Sequence, residues 1–332
     1  MSSTIGKLVD RVYREYLEPN DDIQSFSILR GAMLADATDT TVEYESDYLT
    51  SEEEDLLEPG AVVEVNRELM LVTALNTSAE QLTVKRAFRG TTLAAHAVDD
   101  VMRVNPVFPR NTVFDAVCDQ IKNLYPTLFA TETKTITSKV GYIPLSGTYD
   151  NYLIAPIKAI SQYTDFSAGS DETGTVYAGV AVEIVDLPNP FTYTDADGVS
   201  QTITYSNNGP DKVNAVQVYN VNAGHTVFVT FKKKFVEPTA ESDTLATVGL
   251  ESEYEPIIMA GVAAQLISGR DIPSATAENI TQSMQAQSFP VNSASNIRNS
   301  LLQYQNALIQ QARKDLRARY PEPVTINKIS YT

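Results

Sequence analysis

One cysteine, two histidines and no tryptophan leave little material for the commoner catalytic and metal chemistries. Cys118 has no second cysteine for an internal disulfide or a thiolate cluster, which fits a reducing compartment. His96 and His225 are the whole histidine supply, and no HExxH or CxxC pair, phosphate-binding Walker loop or dinucleotide fingerprint accompanies them. No apolar run approaches the ~20 residues needed to cross a bilayer. No basic-then-apolar leader opens the chain, so no membrane partner is expected. Basic residues are short as well: 25 Lys plus Arg stand against 42 Asp plus Glu, a net charge of -17. That balance opposes binding of nucleic acid by counterion release, yet it suits a surface past which DNA slides without sticking. What is present is a globular composition, 43% hydrophobic and 20% charged, in a chain of 332 residues long enough for two or three cores.

Hydrophobic spacing divides the chain. Residues 1–20 carry an amphipathic helix, because "TIGKLVDRVYREYL" sets Ile5, Leu8, Val9, Val12, Tyr13, Tyr16 and Leu17 on one stripe before Pro19. Residues 21–108 change to short alternating runs, among them "AVVEV", "ELMLVTAL", "QLTVKRAF" and "DVMRV", which predict a small barrel-like β unit with a hairpin around "NTSAE". Inside it, "TSEEEDLLEPG" reads as a surface turn or a single helical turn. Residues 109–130 return to helix, with the N-cap expected at Asn111 or Thr112 and an apolar face of Phe114, Val117, Cys118, Ile121, Leu124, Tyr125 and Leu128. Residues 131–240 hold at least six strand-like runs and a hairpin at Asp197-Gly198, the pattern of a β-sandwich. Residues 248–320 are helical again. "EYEPIIMAGVAAQLISG" is apolar all round and so buried, with Gly269 as its stop. A long helix, Ser293 to Arg319, follows, with a stripe of Ile297, Leu301, Tyr304, Leu308, Ala312 and Leu316. Residues 321–332 form an extended tail. The fold class is therefore α+β: a discontinuous helical body with a small inserted β-barrel-like unit and a larger inserted β-sandwich.

The individual reactive residues favour structural roles. His96, in "TLAAHAV", and His225, opening "HTVFVTF", sit beside turns with no nucleophile elbow nearby. Cys118 falls on an apolar helix face, where a thiol behaves as a small hydrophobe. "DADG" at Asp195–Gly198 opens like a calcium loop, but Ser206 stands where the closing glutamate belongs, so a hairpin turn is the better reading. Glu52, Glu53, Glu54 and Asp55 form a solvated acidic run, and Lys232, Lys233 and Lys234 a solvated strand end or a contact for an acidic partner. No catalytic, cofactor-binding or metal-binding residue is assigned, and the chain is read as a non-enzyme. Partner contacts are expected instead at Arg313, Lys314, Arg317 and Arg319 in the last turns of the long helix. The tail, with Val324, Ile326, Ile329 and Tyr331, either frays or adds as a strand to another subunit.

The stretch "ELMLVTAL…QLTVKRAFRGTTLAAHAVDDVMRV" resembles a segment of neck and tail proteins of tailed bacteriophages, in which a strand leads through Arg-Gly and Gly-Thr to small residues, a histidine and a last strand. Arg86, Gly90, Thr91, Ala94, Ala95, His96 and Val101 carry the match, while Ala87 replaces a usual glycine and Asp99-Asp100 a glycine-containing turn. The helical segments "YEPIIMAGVAAQLISGRDIP" and 293–319 are similar to the body of head-to-tail adaptors, the connector ring below the phage portal. That resemblance implies a structural virion protein of the neck, assembled in the host cytoplasm. It implies a homo-oligomeric, dodecameric ring that contacts the portal and the tail or neck proteins, without cofactor, and gives DNA passage without sequence-specific binding. A phage tail or decoration protein that binds host-surface carbohydrate through Tyr177, Tyr193, Tyr205 and Tyr219 of the β-sandwich is the alternative. A hydrolase dependent on His96 or His225 is a third.

Overall fold

The structure, a computed structural model, describes residues 3–17, 25–136, 141–144, 153–166, 173–179, 182–188, 191–194, 200–203, 212–218, 226–267, 294–320 and 328–329. It is α+β. Helix α1 (Ile5–Val12) is prolonged by one π-helical turn, Tyr13–Leu17, and every residue of the expected apolar stripe is buried. A helix start leaves N–H groups without intrahelical partners. Here Thr4 Oγ1 accepts from Lys7, and the N–H groups of Ile5 and Gly6 donate to the carbonyls of Asp243 and Glu241, which ties the first helix to a loop far along the chain.

Strands β1 (Phe26–Ile28), β2 (Thr41–Glu43), β3 (Val62–Val65), β4 (Glu68–Asn76), β5 (Gln81–Lys85) and β6 (Val101–Val104) form one antiparallel sheet in the order β1-β6-β3-β4-β5-β2. The sheet curls until its outer strands meet. Arg30 N–H donates to Glu43 O at 2.9 Å and Glu45 N–H to Ile28 O at 3.0 Å. Alternate side chains point inward, so Val63, Val65, Met70, Val72, Leu82, Val84 and Met102 fill a core of their own. The expected hairpin is β4–β5, and the acidic run is the single turn α2 (Ser51–Glu54), closed by a reciprocal cap between Thr50 and Glu53.

Helix α3 (Arg110–Leu124) corrects the expected N-cap. It starts at Arg110, ahead of Asn111 and Thr112, because the Arg110 N–H finds its acceptor in Glu64 Oε1 of β3 at 2.5 Å. Asn111 instead accepts from Arg67 and donates to Asp115. The expected apolar face is buried apart from Tyr125, which is half-buried. Two antiparallel groupings follow: β7 (Ala130–Ile136), β9 (Leu153–Phe166), β10 (Thr173–Gly179) and β15 (Thr226–Lys233) in the order β10-β9-β15-β7, and β8 (Gly141–Pro144), β11 (Val182–Pro188) and β14 (Lys212–Val218) in a second sheet. β12 (Phe191–Thr194) and β13 (Ser200–Ile203) pair as a hairpin whose Asp197-Gly198 turn lies outside the described residues.

Helices α4 (Leu245–Val248), α5 (Glu255–Ile267) and α6 (Ala294–Arg319) complete the chain, with β16 (Lys328–Ile329) beyond them. The expected stop of α5 at Gly269 lies outside the described residues. α1, α3, α4, α5 and α6 share one apolar core even though the curled sheet separates α1 from α3 and the later strands separate α3 from α4 in sequence. Within it Gly261 is the point of closest approach: a Cβ there would lie 2.2 Å from Gln120 Oε1 and from Gln305 Nε2. The curled sheet is fixed to this core by cations over rings, Arg67 at 3.6 Å from the Phe114 centroid and Arg103 at 4.6 Å from that of Tyr13.

Candidate partner-docking cleft

The last turns of α6 bring two of the expected contact residues together. Arg313, Leu316, Arg317 and Tyr320 follow the i, i+3, i+4, i+7 spacing that puts side chains on one helix face. Leu316 points into the helical core, while the two arginines stand exposed on either side of it. Facing them is the loop after α3, Pro126 to Phe129, and from the sheet Ile157 of β9 and Lys232 of β15. These groups line a cleft of about 400 Å³.

The strand period explains why a lysine is there. Along β15, Val227, Val229 and Phe231 are buried, so Lys232 and Lys234 project from the opposite face. Lys232 Nζ lies 4.7 Å from the Phe129 ring centroid and 5.7 Å from that of Tyr125, and Lys234 Nζ is 5.4 Å from Tyr125. Lys233 turns the other way and pairs with Glu132 at 3.0 Å. The lysine run is thus more than a solvated strand end, since one member is half-buried in a cleft wall. Three cations, Lys232, Arg313 and Arg317, meet apolar side chains, and among the described residues no carboxylate lines the cleft. In a chain with 42 acidic residues this is a local reversal of sign, and low-dielectric walls strengthen its field. Such a lining suits carboxylates, which arginine forks hold with two parallel hydrogen bonds, and apolar groups, which pack on rings.

The other expected contacts lie apart. Arg319 is committed to its own chain, bridging Glu251 at 2.6 Å and Glu253 at 2.8 Å. Lys314 is exposed and does not line the cleft. Val324, Ile326 and Tyr331 lie outside the described residues. Ile329 is in β16, where Lys328 and Ile329 run parallel to Ile184 and Val185 of β11, so the tail strand augments a sheet of its own chain. Of the candidate sugar-stacking residues, Tyr177 and Tyr193 lie in β10 and β12, whereas Tyr205 and Tyr219 lie outside the described residues, as does His225.

His96 belongs to a buried clasp. Glu68, at the start of β4, has no exposed surface and accepts hydrogen bonds from Arg86 Nε and Nη2 at 2.7 Å each, from the N–H groups of Ala87 and Ala94 at 3.0 Å, and makes a 3.0 Å contact with His96 Nε2. Burial alone would raise the Glu68 carboxyl; the Arg86 guanidinium, the two amides and His96 overcome it and hold the pKa down to about 2. Arg86 also donates to the carbonyls of Leu34, Asp39 and Ala94. The segment "RGTTLAAHA" is therefore wrapped around one ion pair, and His96 N–H and C=O bond with Met33. Sequence reading marked Arg86 and His96 but missed Glu68, whose place in an alternating strand looks solvent-facing.

Cys118 is buried, and burial pushes its thiol up to about 11. A second hollow, of about 360 Å³, is lined by Glu64, Asn66, Asp99, Asp100, Val101, Arg103 and Arg110. Among the described residues no group of three or more His, Cys, Asp or Glu side chains is placed to hold a metal ion, and no helix is long and apolar enough to cross a membrane. No protein-family model matches the chain, and neither does any curated protein.

Proposed function

We propose that this chain is a structural virion protein, a subunit of the head-to-tail adaptor ring beneath the portal of a tailed bacteriophage. The observation that carries the reading is the build of the helical core: helical stretches far apart in sequence close into one body, and β structure occupies the two long connections on either side of α3. In this reading the curled sheet is the inserted barrel-like unit, and the strands between residues 131 and 240 are the inserted sandwich. The cation-lined cleft at the end of α6 supports it further, because it offers a docking surface on a rigid helix. The buried role of His96 within the "RGTTLAAHA" clasp fits the structural turn of the neck-protein segment.

The role is mechanical, with no chemical step. Identical subunits close a ring through a heterologous interface, and the ring gives DNA a passage whose acidic surface does not hold phosphates. The protein is placed in the virion neck after assembly in the host cytoplasm, between the portal and the tail or neck proteins. Particles made without the chain test this. Heads and tails that fail to join, and that join once purified chain is added, are the expected result. Tailed, infectious particles assembled in its absence would contradict it, and specific glycan capture by such a chain would favour the carbohydrate-binding alternative.

A further inference from the structure

The acidic turn on the curled sheet has the complementary chemistry to the cleft. Its carboxylates divide into two sets. Glu53 is used by the Thr50 cap and Ser25, and Glu54 accepts from Tyr44. Asp47, Glu52, Asp55 and Glu58 are exposed and make no ion pair among the described residues. Two large apolar side chains stand among them, Tyr48 at 50% and Leu56 at 49% exposure, and Phe26 packs on Tyr48 with ring centroids 6.1 Å apart. The bond from Ser25 to Glu53 sets Phe26 beside this turn. Exposed apolar side chains ringed by charge of one sign mark an interaction surface.

The cleft presents the opposite charge: Leu316, Phe129, Ile157 and Tyr320 line it together with Lys232, Arg313 and Arg317. Arg313 and Arg317 are exposed and have no carboxylate partner among the described residues, in contrast to Arg319. No residue of the curled sheet lines the cleft, so the chain does not satisfy it with its own acidic turn.

We propose that the cleft of one copy receives the acidic turn Asp47–Glu58 of a second copy, with Leu56 as the apolar anchor and Asp55 and Glu58 on the arginines. Two different patches on each subunit then form a heterologous contact, the type that closes rings. The inference deepens the ring reading and rests on it for the identity of the occupant.

The test is a cross-link between copies. A Leu56→Cys chain is mixed with an Arg313→Cys chain under oxidising conditions, in solution and in assembled particles, and the mixed disulfide is followed on non-reducing gels. Cys118 is buried, so it does not compete. Leu34→Cys, at an apolar position with 69% exposure, replaces Leu56→Cys in the control pair. The account expects the Leu56 pair to form disulfide roughly tenfold faster than the control, because docking raises the effective concentration of the thiols. It also expects Arg317→Glu to remove that advantage and Asp55→Lys with Glu58→Lys on the partner copy to restore it. Equal rates for the two pairs would overturn the contact. Protection of the Arg313→Cys thiol by single-stranded DNA, with no gain for the Leu56 pair, would overturn it in favour of nucleic acid. The head-to-tail joining experiment separates the two claims: joining that needs the chain while cross-linking stays at control rate removes this contact alone, and cross-linking without any need for the chain in joining removes the adaptor reading.

Discussion

Glu68 is a buried carboxylate that keeps its charge because five donor contacts converge on it from Arg86, Ala87, Ala94 and His96. Removing one member of a buried, bonded pair strands the other, so Glu68→Gln is expected to cost about 3–5 kcal/mol, read as a lower urea midpoint. His96→Ala loses one contact and leaves the Arg86 fork, so its cost is expected to be smaller, about 1–2 kcal/mol. The pH dependence follows from the same group. Its folded pKa, about 2, lies below the ordinary 4.5, so its stabilisation is complete above the ordinary value and is lost as pH falls toward about 2. The wild-type urea midpoint should therefore fall more steeply than that of Glu68→Gln between about pH 5 and pH 2. Equal slopes would show that the clasp does not hold the charge. Tyr254 is the opposite case, a buried phenol whose hydroxyl has no partner among the described residues, raised by burial to about 12. Tyr254→Phe removes a desolvated hydroxyl and keeps the ring against Phe235, so stability should be unchanged or higher by about 1 kcal/mol.

At the level of elements, α5 is the helix around which the others are arranged, and Gly261 sets how closely they come. Gln305 bonds Gln120 at 2.9 Å and the Ile257 carbonyl at 3.2 Å across the place a side chain would fill. Gly261→Ala is expected to cost about 1–2 kcal/mol by displacing those amides, against a gain of about 1 kcal/mol in helix propensity. In a Gln120→Ala, Gln305→Ala background the same change should be neutral or stabilising, a non-additivity that a double-mutant cycle on urea midpoints measures. Which elements were legible follows from where their signals lie. The stripes of α1 and α6 and the β4–β5 hairpin rest on local periodicity, and they stand as read. The start of α3 lies ahead of its expected place because the acceptor for its first N–H is Glu64, which is 46 positions away in sequence and on a strand. The cleft was half legible. Arg313 and Arg317 share a helix face by spacing alone, but Lys232 and Phe129 join them only through tertiary packing. Arg319 sits on the same basic turn, yet it is consumed by Glu251 and Glu253, which no periodicity relates to it.

Across the whole molecule acidic residues outnumber basic ones, yet a helical core assembled from distant segments holds a cation-lined cleft among the described residues. In the proposed contact, copies associate through one complementary pair of patches, while the net negative charge opposes lasting contact with a polyanion. If copies associate by the proposed contact, salt should weaken it, because Arg313, Arg317, Asp55 and Glu58 are exposed side chains whose pairing is screened over about 8 Å at physiological ionic strength. The central claim, that copies of this chain form the ring at the portal vertex, makes a direct demand on stoichiometry. The measurement that tests it is the copy number of the chain per purified phage particle, by quantitative mass spectrometry against the capsid and portal proteins. The account predicts parity with the portal, about a dozen copies in a closed ring. Hundreds of copies, as in a tail tube or capsid decoration, or none at all, would contradict it.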